Sequence, residues 1–400
     1  MKCLMCKVSG IFERGLCVRC AKKQIFSKVK DFKKDFFGSV PSPFIGRYNY
    51  PNVNIGVLGL QEIKDDADIY DNPNRWAIED MGIYDVLDFR SSLVNARKKS
   101  NIHNLGEVAQ LVGMSENPVE MEINLEKKPG SGLALDKYNL PHGPSANMSK
   151  IKITENVKIN QKVEKVYGDN DLKANDALAY LYDEGIDENK LMKILSVGGV
   201  GVKRKMVPTR WSITAVDDLI SKGVINELKD YNEVDYGTYF GGYLGNYYLV
   251  LFLPGEWSFE LFEMYVKKEV NPWSRNNLKY ATDYENVFGR KEYAKETSGG
   301  YYAARLPIVE KLRKMKRKGN VLVFRFITEE YSVPLGVWVV REATRKALKD
   351  KGLFFGDKEL MLEYSKEFIK KKFGINLGDF LKESILLKER KTQKRLSVFV

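Results

Sequence analysis

Between Val119 and Glu126 the chain alternates without a slip, with Val119, Met121, Ile123 and Leu125 set against Glu120, Glu122, Asn124 and Glu126. A period of two puts the apolar set on one face of an extended strand and the polar set on the other, so this stretch predicts a strand in a sheet with one face in water. Ala77 to Arg97, Asp171 to Glu184, Asp187 to Val197 and Lys358 to Phe373 carry helical periodicity instead, while Tyr236 to Leu253 and Val321 to Thr328 read as strands. The elements follow no regular βαβ repeat. That combination predicts an α+β fold.

A chain of 400 residues exceeds what one hydrophobic core usually serves, and its 44% apolar content is ample for two. The net charge of +12 points to a polyanionic partner, with nucleic acid the commonest and a membrane surface the competitor. The longest apolar run, Tyr247 to Leu253, is far too short to cross a bilayer. The N-terminus carries no signal-type apolar segment, so a cytoplasmic, nucleoid-associated protein is expected.

All four cysteines fall in the first twenty residues, as Cys3-x-x-Cys6 and Cys17-x-x-Cys20. Each pair sets two thiolates on one tight turn, and two such turns close a tetrahedron around Zn²⁺. Disulfides and a redox thiol couple are the alternatives; a cytosolic location opposes the first, and the second needs one motif in a βαβ context. With four protein ligands, the zinc has no open position and serves folding or recognition, not catalysis. A basic, aromatic stretch follows, Lys22 to Phe37, in which six lysines interleave with Phe26, Phe32, Phe36 and Phe37. It suits phosphate contact plus base stacking, or equally an amphipathic helix, since Phe32 and Phe36 are four apart.

The densest candidate for chemistry runs from Gly198-Gly-Val-Gly through Lys203, Arg204, Lys205, Arg210 and Trp211 to Asp217 and Asp218. Glycines allow backbone N–H groups close to a phosphate, the cations supply charge, and Trp211 offers a stacking face. The tract lacks a P-loop ending. Its plain reading is a helix C-cap at Gly198-Gly199, followed by a capping box at Thr214-x-x-Asp217 that opens the next helix. Arg210, Asp217, Asp218 and Arg305 are weak candidates for catalysis.

Glu120, Glu122 and Glu126 with Lys128 allow a nuclease-like metal site if a carboxylate such as Asp85 or Asp88 joins them. A solvated strand face explains the same residues. Lys311 to Lys318 carries six positive charges in eight residues, with Lys314, Lys316 and Arg317 at its centre. It follows the unusual tract Gly299-Gly-Tyr-Tyr-Ala-Ala-Arg305. The two histidines, His103 and His142, are too separated for a His-built metal centre; His142 lies in the Gly- and Pro-rich stretch Pro129 to Met148, which reads as a long loop.

The chain ends in Gln393-x-x-Leu396-x-x-Phe399-Val400. On one 3₁₀ turn Leu396 and Phe399 eclipse and form a single apolar plug, and Gln393 adds an amide that both donates and accepts. This resembles the peptide that DNA-handling proteins insert into the sliding clamp (PCNA), with Val400 where that pattern has a second aromatic. Together with the cysteine-rich tip, Met206 to Asp218 and Gly299 to Leu306, it resembles the archaeal Nre DNA-repair proteins over nearly the whole chain. The resemblance implies repair of damaged DNA alongside the clamp, and carries over no catalytic residues. The expected organisation is a zinc knuckle or ribbon (1–22), a basic aromatic linker (23–50), an Nre N-terminal-type α+β domain (51–270), an Nre C-terminal-type α+β domain (271–385) and a flexible clamp-binding tail (386–400). Two rivals stand beside it. One is an enzyme, a metal-dependent nuclease or a base- or nucleotide-modifying transferase, using Gly198 to Asp218 and Gly299 to Arg305. The other is a non-catalytic nucleic-acid adaptor.

Overall fold

The computed structural model describes residues 31–130, 140–267 and 280–392, and these combine helices with two six-stranded sheets in an α+β arrangement. They fall into two compact units. The N-terminal one runs to Ile220 and includes Val333–Trp338; the C-terminal one comprises Ser221–Ser332 and the residues from Val339. The division lies inside the helix Thr209–Leu228.

The N-terminal sheet is built from β1 (Asp35–Val40), β2 (Ser42–Ile45), β3 (Asn52–Gly59), β4 (Val94–Asn101), β5 (Val119–Leu125) and β6 (Ser145–Ile153), in the order β1-β5-β6-β4-β3-β2. Only β4 and β6 pair in parallel; every other neighbour is antiparallel. The alternating segment is β5, and its odd-numbered residues are the buried ones. Val119, Met121, Ile123 and Leu125 pack with Phe36, Val40, Val57 and Val94 in one core. A second cluster joins Ile45, Val53, Ile55 and Ile102 to Ala109, Val197 and Met206, fixing the helices Glu107–Met114 and Glu188–Ser196 to the β2–β3–β4 end of the sheet.

The C-terminal unit holds β7 (Asn232–Glu233), β8 (Gly237–Tyr243), β9 (Asn246–Leu253), β10 (Ser258–Tyr265), β11 (Ala281–Glu285), β12 (Arg317–Lys318), β13 (Asn320–Ile327) and β14 (Leu353–Phe354). Its large sheet has the order β11-β10-β13-β9-β8-β14, with β10 and β13 parallel, while β7 and β12 pair separately. All eight residues of β13 are buried, as a central strand covered on both faces requires. On one face Leu322, Phe324 and Phe326 meet Met361, Ile369, Leu377, Phe380 and Leu386 from the three C-terminal helices, Lys358–Phe373, Leu377–Glu383 and Ile385–Thr392. On the other lies the helix Gly299–Met315, whose Tyr301 ring sits 4.9 Å from that of Phe259.

Several expectations change. Residues 35–40 and 42–45, placed in a linker, are the strands β1 and β2, because Phe32 and Phe36 are recruited to the sheet core and not to a helix face. Ala77 to Arg97 is not one helix: Asp80 takes a positive φ, Gly82 caps a new helix at Ile83–Ser91, and β4 begins at Val94. Tyr236 to Leu253 is a hairpin, turned at Leu244–Gly245 where both residues have positive φ. Thr214 opens no helix. The helix starts five residues earlier, where the Pro208 carbonyl accepts from the N–H groups of Trp211 and Ser212.

Candidate nucleic-acid interface

The β2–β3 hairpin closes through a loop, Gly46 to Pro51, that carries Arg47, Tyr48 and Tyr50. Its backbone is held at both ends: Gly46 N donates to Asn54 O at 2.7 Å, and Asn52 N donates to Asn49 O at 2.8 Å. Asn49 takes the positive φ that the tight turn demands, which asparagine tolerates. Three further bonds bring distant chain to this loop. Ile45 N donates to Thr209 Oγ1 at 3.0 Å, Ile102 N to Pro51 O at 3.0 Å, and Met206 N to Ile102 O at 2.9 Å. The start of the Thr209–Leu228 helix, the 203–206 loop and the end of β4 therefore all abut the hairpin.

The result is a basic and aromatic patch. The rings of Tyr50 and Trp211 lie 5.1 Å apart and tilted by 47°, each still more than two-fifths exposed. Arg47 sits 4.8 Å over the ring of Tyr48 and donates to its hydroxyl at 3.1 Å, with Tyr48 72% exposed. Lys203, Lys205 and His103 are exposed and Arg210 is half-buried. Of the four tryptophans among the described residues, Trp76, Trp257 and Trp338 are buried and Trp211 stands 45% in water. A fold with ample core does not leave an indole outside for want of space.

The glycines here do structural work. Gly198 and Gly199 end the helix Glu188–Ser196, donating to Leu195 O and Ile194 O, with Gly198 at φ +70. Arg204 is tied inward: its guanidinium lies 4.5 Å over Tyr167 and donates to the carbonyls of Tyr167 and Asp169. Asp217 is fully buried and Asp218 half-buried, further along the helix from Trp211.

Arg305 belongs to the C-terminal unit and is internal. It pairs with Glu285 at 2.7 Å, both almost wholly buried, and its guanidinium lies over Tyr302 and Tyr301 at 5.4 and 5.8 Å. In the basic run that follows, Lys311 donates to Leu348 O, Arg313 pairs with Glu227 and Lys318 with Glu256. Lys314 and Lys316 are exposed, and Arg317 is half-buried, as are Lys311, Arg313 and Lys318.

Glu120, Glu122 and Glu126 lie on the solvated side of the β5 sequence, and Lys128 pairs with Asp31 at 2.6 Å. Asp85 accepts from Gly82 N at the start of its own helix. Among the described residues no group of three or more His, Cys, Asp and Glu is placed to hold a metal ion. His142 is tucked against Phe44, ring centroids 5.6 Å apart, and burial pushes its imidazole down to about 4. It is neutral and structural at physiological pH. Cys3, Cys6, Cys17, Cys20, Gln393, Leu396, Phe399 and Val400 lie outside the described residues.

Two features escaped the sequence. Arg47, Tyr48 and Tyr50 become part of a site through long-range bonds such as that between Ile45 and Thr209, 164 positions apart. The second is a cavity of about 200 Å³ in the N-terminal unit, walled by Asp68, Asp71, Asn72, Glu116, Lys190 and Lys193. Burial pushes Asp71 up, but Lys193 at 2.9 Å and Arg90 at 2.5 Å more than offset this and hold it below the usual carboxylate range. Lys190 sits in the first turn of its helix and donates to the Ser115 carbonyl at the end of another; burial, then Lys193, push its amine down to about 7. No local pattern distinguishes these lysines from solvated ones.

Two family models match the chain, Archaeal Nre, N-terminal, over residues 16–274 and Archaeal Nre, C-terminal, over residues 285–399. Among its relatives, a protein named DNA repair protein NreB from Archaeoglobus fulgidus is 34% identical over 407 aligned positions, covering 100% of both chains. A DNA repair protein NreA from the same organism is 36% identical, covering 88% of this chain and 89% of its own, and one from Haloferax volcanii is 35% identical, covering 78% and 77%. No solved structure matches the chain.

Proposed function

The chain belongs to the archaeal Nre family, and from that membership we propose that it is a DNA-repair factor that holds DNA through the Tyr50–Trp211 patch and is tethered to the sliding clamp by its last eight residues. The observation that carries the DNA contact is the exposure of Tyr48, Tyr50, Lys203, Lys205 and Trp211 beside the half-buried Arg47 and Arg210, on a loop and helix start joined by hydrogen bonds. Cations meet phosphates and rings meet bases, the pairing that nucleic-acid grooves use. Lys314, Lys316 and Arg317 supply a second basic surface on the C-terminal unit.

Gln393, Leu396 and Phe399, with Val400 in place of an aromatic, form the clamp hook. A tether of this kind raises local concentration, so neither contact has to be strong alone. Cys3, Cys6, Cys17 and Cys20 hold one structural Zn²⁺, a closed site that orders the N-terminal tip. Among the described residues no helix is long and apolar enough to cross a membrane, and the work proposed here is cytoplasmic, beside the nucleoid.

Reversing Lys203 and Lys205 together to Glu tests the DNA contact. Anisotropy titrations of a labelled oligonucleotide across a salt series should show affinity lower by ~10-fold or more, and a salt slope shallower by one to two units, because each cation lost releases one counterion fewer. An unchanged slope would place the DNA elsewhere. Deleting residues 393–400 should remove binding to the clamp in calorimetry and leave the melting temperature alone; retained clamp binding would end the proposed tether.

A further inference from the structure

We propose that the Tyr48–Tyr50–Trp211 patch takes single-stranded DNA in preference to duplex. The inference rests on the nucleic-acid reading above and narrows it to a strand form. In a duplex the faces of the bases are already covered by their neighbours, and a protein reaches only groove edges and phosphates. Edge readout calls for a helix or ribbon inserted along a groove, with side chains that donate and accept in pairs. This patch presents something else: a short loop and a helix start whose outward groups are three aromatic rings and a set of cations. Rings offer π-faces, and π-faces find partners only on unstacked bases.

Three further observations point the same way. The rings are held ready, because the loop is bonded to Asn54, Ile102 and Thr209 and so cannot fold them into the core without breaking those bonds. Arg47 over Tyr48 places a guanidinium at the ring, where it meets a backbone phosphate while the ring meets a base. Lys203 and Lys205, on the loop joined to the hairpin through Met206 and Ile102, add exposed positive charge. Cations combined with exposed rings are the pattern of a strand channel.

The full-length protein should bind a labelled 12-nucleotide single strand at least ~10-fold tighter than the 12-bp duplex of the same sequence at equal salt, and binding should quench tryptophan emission. Trp211→Ala should lose ~10-fold or more on the single strand, the change expected from one base–ring stack, with little change on duplex. Trp211→Phe, which keeps a face, should recover most of it; circular dichroism of both variants checks folding. Equal or tighter duplex binding that still depends on Trp211 would overturn the strand preference and leave the patch as the DNA site. Loss of Trp211 without effect on either form would remove both. An RNA strand binding tighter than its DNA counterpart would overturn the assignment to DNA.

Discussion

In the N-terminal unit Arg47 lies 4.8 Å over Tyr48 and the ring is mostly in water; in the C-terminal unit Arg305 lies 5.4 Å over Tyr302 and 2.7 Å from Glu285, and none of the three reaches solvent to any extent. The same residue types make the same contact in both places. What separates them is burial. A guanidinium taken out of water needs a paired anion, and the C-terminal unit supplies it: Glu285 accepts from Arg305 and from Trp257 Nε1, and Arg325 pairs with Glu263 at 2.6 Å while donating to Asn246. Arg47 lies over a ring that is 72% exposed and donates to its hydroxyl, and it is itself only half-buried. Net positive charge therefore does not locate a binding face. Arginines with buried carboxylate partners are scaffold, and cations beside exposed rings are the ones a polyanion can use.

The largest effect expected from this contrast is on folding. Arg305→Ala leaves Glu285 charged, buried and without its cation, a change that typically costs 3–5 kcal/mol. Urea denaturation should show that loss, whereas the double variant Arg305→Met with Glu285→Leu should recover much of it. DNA affinity, measured where the single variant is still folded, should be unchanged. A folded Arg305→Ala protein that no longer binds DNA would break the division between scaffold and site.

How far the sequence disclosed this division depends on the range of the interactions. Period-two burial in β5 was legible because alternation is local, and so was the Lys358–Phe373 helix, with Asp357 accepting from Leu360 N at its start and Gly374 left-handed at its end. The Gly198-Gly199 cap was legible for the same reason. The helix end at Ile78 and the turn at Leu244 were not, because each depends on single residues adopting positive φ inside runs that look continuous. Trp211 was legible as a stacking candidate; its partner Tyr50 was not, since nothing near Tyr50 signals a helix start 160 positions on. Arg305 was misjudged in a telling way. An unusual tract, Gly299-Gly-Tyr-Tyr-Ala-Ala, suggests a pocket, yet small residues and tyrosines also suit a helix pressed against a sheet, and a Cβ at Gly300 would come within 2.8 Å of Glu263 Oε1 and force that side chain to shift. Burial decides.

The N-terminal unit also holds a titratable group, His142, and it sharpens the comparison because burial is the main influence on it. His142 is held neutral by burial, with its pKa near 4 in place of 6.5. Between those values the unfolded chain takes up a proton and the folded one does not, so stability attributable to this residue is present above pH 6.5 and falls as pH drops toward 4. A shift of that size corresponds to roughly 3 kcal/mol at the low end of the window. Chemical denaturation of wild type and His142→Phe at pH 7 and pH 4.5 isolates the term. The wild type should lose more stability than the variant over that interval, and parallel losses would mean that the imidazole reaches water or a compensating charge.

The smallest stability effect should come from the most exposed ring of the patch. Tyr48 contributes little buried area and one surface contact with Arg47, so Tyr48→Ala should change unfolding free energy by no more than about 0.5 kcal/mol, the usual range for surface substitutions. Its effect on binding should be out of proportion to that, with single-strand affinity lower by several-fold as a stacking face disappears. The ratio of the two effects is the informative quantity, because it runs opposite to that of Arg305→Ala: large on binding and small on folding in the N-terminal unit, small on binding and large on folding in the C-terminal one. Measured side by side by denaturation and anisotropy, the two variants test whether exposure separates contact residues from scaffold in this protein. A Tyr48→Ala protein that unfolds easily and binds normally would show that the loop's aromatic face serves the fold after all.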